Sequence, residues 1–268
     1  MKTIRVRQIN ILELDQALYN TTYNAGLEMS NCFNASIHVC VLESEENKNF
    51  NRNEWLGASS KTYVENLIKD VSENRELLNP GLSFDEYSEN HPLREIYSGL
   101  PSSESLSILG YNKSVRHKEV LKRLLKEDVG FPLMLIPNGK HVKSFHKIIV
   151  PFEPEFVTKR KLLNLKWIAD QLGVMVDFIH FKRETSSEEL SAFEDIYKTI
   201  QNWVGDLNFC SKVTFQYKTT SSLNTGLKDY VKNQESYFIC IIDREIKKSI
   251  STSFIPNEEC LMDIKEPV

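Results

Sequence analysis

One stretch constrains this chain more than any other: residues 145–181, FHKIIVPFEPEFVTKRKLLNLKWIADQLGVMVDFIHF. Lys147 to Val150 is a short, mostly apolar run closed by Pro151. Leu162, Leu165, Ile168, Ala169 and Leu172 recur at three-and-four spacing, which predicts a helix with one apolar face. Gly173 stands where a left-handed helix end is wanted. Val174 to Phe181 is apolar on both alternating faces except at Asp177 and His180, the pattern of a strand buried on both sides. Strand, helix and strand within about thirty-five residues make one βαβ unit, with parallel strands and a right-handed crossover.

The rest of the chain extends or repeats that unit. Ile4 to Ile9 reads as a strand, Leu12 to Cys32 as a helix, and Ser36 to Leu42 as a second strand. Glu43 to Asn53 is polar and reads as an exposed loop. Further helices are expected over residues 60–75, 91–98 and 118–127, with strands at 82–88, 106–109 and 133–136. The turn Asn138-Gly139-Lys140 is the natural boundary between a domain of residues 1–141 and one of residues 145–268. The second half then repeats the order: a helix from Glu188 to Val204, a strand from Lys212 to Lys218, a helix from Leu223 to Lys232 and an apolar strand from Tyr237 to Ile242. A last helix is expected from Asn257 to Lys265. Glu266-Pro267-Val268 stands where Phe131-Pro132-Leu133 opens the fifth strand of the first half, so the second half's fifth strand is expected to be missing or a stub. Two copies of one α/β domain are the economical account.

Composition removes several classes of function. The net charge of −4 supplies no basic excess to neutralise phosphates, which argues against nucleic acid as a partner. Cys32, Cys40, Cys210, Cys240 and Cys260 are dispersed and lack CxxC spacing, so reduced core thiols are expected rather than disulfides or a metal site. The N-terminus lacks the apolar run of a signal peptide, and no stretch of ~18 apolar residues is present to span a membrane. A soluble, cytoplasmic protein is the expectation.

KIIVPFEPEF followed by LNLKWIADQLGVMVDFIHF resembles the opening of a universal stress protein domain. SLSILGYNKS resembles that family's fourth strand and following glycine, and GFPLMLIP its fifth strand. The resemblance covers nearly the whole chain as a tandem pair. It implies two open, parallel, five-stranded sheets of order 3-2-1-4-5, with helices on both faces, in the adenine nucleotide alpha hydrolase-like architecture. It also implies pairing through the fifth strands.

The resemblance further implies where a nucleotide would sit, and the residues there depart from the family pattern. ATP-binding members carry an Asp after strand one and a turn of form G-x-x-G-x₉-G-[ST] after strand four, because the backbone must donate N–H groups to phosphates. In the first half Gly110 matches the first glycine, but Lys113 stands at the second and Arg123-Leu124 at the G-[ST] pair. Asn10 takes roughly the place of the Asp, and Val41 and Ser114 complete that half's candidate ligand set. In the second half Glu153 stands in for the Asp, beside Phe152 and Phe181, while Asp243 and Ile246 replace the first two glycines. A carboxylate at Asp243 would repel phosphate. The expectation is therefore no cofactor, with ATP disfavoured.

No GxSxG, HExxH, GxxxxGK[ST] or HxGH motif occurs, so no catalysis is expected. His38 and His180 fall at matching second-strand positions and read as buried histidines without a nameable acid partner. The basic clusters at Lys113–Lys118 and Lys159–Lys161 read as solvated helix starts. The favoured function is a non-catalytic stress-response binding or scaffold module with an unidentified protein partner. The alternatives are a nucleotide or small-ligand sensor at the carboxyl end of strand one, and a weak ATPase. A missing final strand would leave residues 133–136 at an open edge, so self-association is expected there or through the pseudo-twofold domain interface.

Overall fold

The computed structural model describes residues 6–13, 18–43, 82–88, 104–112, 132–142, 145–182, 187–220, 222–242 and 261–263. In chain order the first half runs β1 (Gln8–Glu13), α1 (Tyr19–Phe33), β2 (Ser36–Glu43), β3 (Leu82–Ser88), β4 (Ser105–Tyr111) and β5 (Leu133–Pro137). The second runs β6 (Lys147–Pro151), a 3-10 turn (Pro154–Phe156), α2 (Lys159–Leu172), β7 (Met175–Lys182), α3 (Ser187–Leu207), β8 (Val213–Thr219), α4 (Leu223–Val231), β9 (Tyr237–Ile241) and β10 (Leu261–Asp263).

The strands form one ten-stranded sheet, β3-β2-β1-β4-β5-β10-β9-β6-β7-β8. Each half has the order 3-2-1-4-5 with parallel neighbours. The halves join by one antiparallel ladder, Leu261 opposite Leu135, Met262 opposite Met134 and Asp263 opposite Leu133. The order reads the same from either end, so a pseudo-twofold axis passes between β5 and β10.

The central unit forms as its sequence dictates. Thr158 caps α2 by accepting from the Lys161 N–H, and Gly173 closes the helix at φ 64°, where glycine escapes the Cβ penalty. Leu162, Leu165, Ile168 and Ala169 are buried on its inner face. That face belongs to a core shared by both halves. Ile9, Ile11, Ile37, Ile108 and Met134 meet Ile148, Val176, Phe178, Phe238 and Met262 beneath the helices. Phe33 of α1 and Trp167 of α2 stack at 4.6 Å, so the helix layer also crosses the pseudo-twofold axis. Fully burying one such side chain contributes about 1.5–3 kcal/mol. Asp170 near the end of α2 accepts from Lys166 and from the backbone N–H groups of Cys210 and Ser211 at 2.9 and 3.2 Å, which ties α2 to the segment after α3. Burial pushes its carboxyl up, but Lys166 and the two amides outweigh that and hold it below its usual range.

The opposite face of the second half buries a charge. Asp177 of β7 is 1% exposed and accepts from Thr214 Oγ1 at 2.7 Å, from Gln216 Nε2 at 3.0 and 3.1 Å, and from the Tyr230 hydroxyl of α4. Lys147 Nζ lies 3.8 Å away and donates to Gln234 Oε1 at 2.7 Å. Burial, and then Asp177, push the Tyr230 phenol well above its ordinary range.

Two boundaries differ from the sequence expectation. The first strand is Gln8–Glu13, not Ile4–Ile9, so Leu12 lies in β1 and the helix starts at Tyr19. Pairing fixes this: Gln8 is opposite both Ser36 and Ser105. The helix expected from Asn257 to Lys265 is replaced at its centre by β10, whose Met262 is fully buried between β5 and β9. The second half thus has its fifth strand, as a three-residue stub placed before Glu266-Pro267-Val268, and that terminal segment lies outside the described residues. The open β5 edge that motivated self-association is covered at Leu133 to Leu135. Removing residues 261–268 uncovers it, and the expected result is a higher mass by light scattering than the full chain gives at equal concentration. An unchanged mass would show that β10 protects nothing. The helices expected at 60–75, 91–98 and 118–127 and the loop at 43–53 lie wholly or mainly outside the described residues. Among the described residues, no helix is long and apolar enough to cross a membrane.

Candidate functional site

In an open α/β sheet ligands bind beyond the carboxyl ends of the strands, at the point where strand order reverses. Here those points lie between β1 and β4 and between β6 and β9.

In the first half the described candidates stand at different heights, Asn10 within β1 and Val41 and Gly110 toward the carboxyl ends of β2 and β4. Asn10 lies inside β1, fully buried, not after it; it accepts from Gln8 Nε2 at 2.8 Å and donates to Ser107 Oγ at 3.4 Å. Its place in the nucleotide set is a correction forced by the position of β1. Val41 sits in β2 opposite Glu13 and Glu86, near the strand's carboxyl end. Gly110 is a buried residue of β4, paired with Ile136. A Cβ there would lie 2.1 Å from Thr22 Oγ1 and 3.5 Å from Leu18 Cβ, so its bareness lets α1 lie on β4. Thr21, beside it, donates to Asn138 Oδ1 at 3.0 Å and accepts from the Gly139 N–H at 3.2 Å. The start of α1 is thus pinned to the turn after β5. Ser114, Lys113 and Arg123 lie outside the described residues.

In the second half a group does assemble. β6 ends at Pro151, which turns the chain so that the Phe152 N–H donates to the Ile179 carbonyl at 3.1 Å. Phe152 is 1% exposed; it meets Phe178 edge-on and stacks with Tyr197 of α3. Burial pushes the Tyr197 phenol up. Beside Phe152, the His180 Nδ1 lies 3.1 Å from the Phe152 carbonyl oxygen and 3.4 Å from Glu153 Oε2. The imidazole is nearly buried, between the rings of Phe152 at 6.0 Å and Tyr217 at 5.8 Å, while the Glu153 side chain stays 36% exposed. Phe181 is buried on the other face against α4, where Gly226 leaves room for it: a Cβ would lie 2.5 Å from the Phe181 ring. Of Phe152, Glu153 and Phe181, the first two therefore share a site with His180 and the third faces away. Asp243 and Ile246 lie outside the described residues.

Register also realigns the halves. β1 and β6 start at Gln8 and Lys147, level with Ser36 and Met175 in the second strands and with Ser105 and Tyr237 in the fourth. Counted from there, His38 is equivalent to Asp177, not to His180, and Val41 is the residue equivalent to His180. The residue equivalent to Gly110 is Ile242, which is buried. Spacing along the sequence sets Asp243 level with Gly110 and His38 level with His180; strand pairing does neither. The acid partner of His180 was invisible for the same reason, since β6–β7 register alone brings residues 153 and 180 together. The basic residues in the first turn of α2 are partly engaged: Lys159 pairs with Asp206 at 3.3 Å and Lys161 donates to the Phe156 carbonyl at 3.1 Å. Among the described residues, no cluster of three His, Cys, Asp or Glu is placed to hold a metal.

No protein-family model matches the chain, and no curated protein matches it. Solved structures do. A Pseudomonas aeruginosa chain assigned as a universal stress protein superposes with a TM-score of 0.68 at 11% identity, over 97% of this chain and 93% of the other. A universal stress protein of Archaeoglobus fulgidus gives 0.66 at 12%, over 99% and 98%. The cytoplasmic domain of a prokaryotic cation chloride cotransporter gives 0.51 at 12%, over 98% and 96%. Identities this low carry the fold and not the activity. With two 3-2-1-4-5 sheets joined at their fifth strands, this chain has the universal stress protein fold, built twice in one polypeptide.

Proposed function

We propose that this chain is a non-catalytic binding or scaffold module of universal stress type, acting in a stress response through a protein partner and without a conventional ATP site. The observation that carries the reading is the contact between Gly110 and Thr22. The one glycine that matches the family's phosphate turn is taken up in packing α1 against β4. Its equivalent in the second half is a buried isoleucine, Ile242, and no glycine follows Gly226 in the sequence. Neither half offers a bare backbone to wrap a polyphosphate at that position.

A second reading has one observation in its favour. Glu153 keeps a third of its side chain exposed at the carboxyl end of β6, and a carboxylate there is suited to the hydroxyl groups of a small ligand. Thermal melts in ATP, AMP and cyclic AMP separate the two. Unchanged midpoints up to millimolar nucleotide are expected; a ligand at 100 times its Kd would stabilise by about 2.7 kcal/mol. A midpoint that climbs with AMP would replace the scaffold by the sensor. Release of phosphate from ATP, lost on Glu153→Gln, would replace both by an ATPase.

A further inference from the structure

We propose that the outer side of β8 is a docking edge for an extended, acidic segment of a partner protein, which joins the sheet there as a further strand. This goes beyond the binding-module reading by giving it a surface and a kind of partner, and it rests on the strand alone.

β8 lies at one end of the sheet, paired with β7 and, among the described residues, with nothing on its other side. The Val176 N–H donates to the Lys212 carbonyl at 2.9 Å, and Val213 is level with Val176. In a parallel ladder that phase repeats every second residue, so Thr214, Gln216 and Lys218 turn their main-chain groups to β7. Val213, Phe215, Tyr217 and Thr219 turn theirs outward. Such a row is a template for a strand of another chain. The strand opens toward its end: Val213 to Gln216 are half-buried, and Tyr217, Lys218 and Thr219 are exposed.

The two faces beside this row differ in chemistry. On one, Phe215 stacks on Phe178 and meets Tyr197 of α3 edge-on, Val213 packs partly into the same core, and Tyr217, 44% exposed, continues the line. On the other, Thr214 and Gln216 bond to Asp177, and Lys218 Nζ lies 4.8 Å from the centre of the Tyr230 ring. Lys212 falls on that second face by alternation and is exposed. Among the described residues, neither lysine has a carboxylate partner. The edge therefore offers an apolar strip on one face and, on the other, two cations about 20 Å apart.

The segment that fits has acids at positions i and i+6 and apolar residues at i+1, i+3 and i+5. That pattern reads the same in both directions, so parallel and antiparallel addition both satisfy it. A second copy of β8 does not fit. The strand contains no Asp or Glu, and two copies side by side would bring four lysines to one strip.

The test uses the full chain and a capped heptapeptide with glutamates at its two ends, valines at its second, fourth and sixth positions and threonines between them. A second peptide carries lysines in place of the glutamates. Amide exchange read by NMR reports on the ladder. Without peptide, the N–H groups of Phe215, Tyr217 and Thr219 should exchange fast, and those of Thr214, Gln216 and Lys218 slowly. The glutamate peptide at up to about 1 mM should shift and slow the fast set, and the lysine peptide should leave it unchanged. Lys212→Glu with Lys218→Glu should weaken the glutamate peptide by about tenfold or more and let the lysine peptide bind instead. Outward amides that exchange slowly without any peptide, as a second copy on the edge would make them, overturn the proposal. So does a chain that ignores the glutamate peptide or answers both peptides alike. The nucleotide melts bear on the scaffold reading and not on this edge, so the two fail separately.

Discussion

Replacing Asp177 with alanine lowers the free energy of unfolding by about 3–5 kcal/mol, the cost of removing one partner from a buried, hydrogen-bonded charge. The carboxylate is 1% exposed, and Thr214, Gln216 and Tyr230 all donate to it. Its loss strands the Thr214 hydroxyl and the Tyr230 proton, leaves the Gln216 amide only its bond to the Tyr230 oxygen at 2.8 Å, and takes the counter-charge from Lys147. Urea denaturation should show a lower midpoint with an unchanged slope, because the surface exposed on unfolding is the same. Tyr230→Phe costs less, about 1–2 kcal/mol, and the two changes together cost less than their sum, since both break one network. The network also sets an alkaline limit. Tyr230 holds its proton more tightly folded than unfolded, so the stability it contributes is intact below the ordinary tyrosine value of 10 and is lost as pH rises beyond it. Tyr230→Phe should flatten that alkaline fall. An Asp177→Ala chain within about 1 kcal/mol of the parent would mean that the carboxylate is not holding α4 to the sheet.

Gly110→Ala tests whether that glycine serves packing or a ligand. The new methyl group would lie 2.1 Å from Thr22 Oγ1, so the Thr22 side chain must turn away and break its bond to the Leu18 carbonyl, or α1 or β4 must move. Overpacking of this kind costs about 1–3 kcal/mol. Adding Thr22→Ala removes the oxygen; Thr22 Cβ at 3.3 Å is then a tight neighbour that must give slightly, and Leu18 Cβ at 3.5 Å is in ordinary contact. Gly110→Ala should therefore cost less in that background than in the parent. Thr22→Ala alone gives up its hydrogen bond to the Leu18 carbonyl at 3.1 Å, about 1 kcal/mol, and a buried methyl group worth roughly as much. A neutral Gly110→Ala that instead altered a nucleotide-dependent melt would return the residue to a binding role.

The unit from β6 to β7 was legible to within a residue or two because several local signals agree there. Apolar alternation, helical spacing, the stop at Pro151 and the left-handed Gly173 all point to one answer. β1 slid along its sequence because Ile4, Val6, Ile9 and Ile11 continue an apolar pattern with no punctuation, and only pairing with Ser36 and Ser105 selects the start. β10 had no local signature at all. Three residues with one buried methionine carry no periodicity, and their conformation is decided by the two strands they lie between. The site divided in the same way. Glu153 is legible only through the resemblance, whose pattern puts an acid after strand one. His180 was seen but set level with the wrong residue, because an offset between strands cannot be counted along one of them.

The ladder between β5 and β10 has a consequence during synthesis. β5 is complete at Pro137, but the strand that covers its outer rim is not made until Asp263. At ribosomal speeds of ~5–20 residues per second, that interval is roughly 6–25 s. Throughout it the nascent first half carries a rim of unmatched amides and carbonyls. Two ribosomes on one message hold two such rims side by side. The yield of correctly closed chains should therefore fall when translation is slowed between those two strands, and rise when it is hastened.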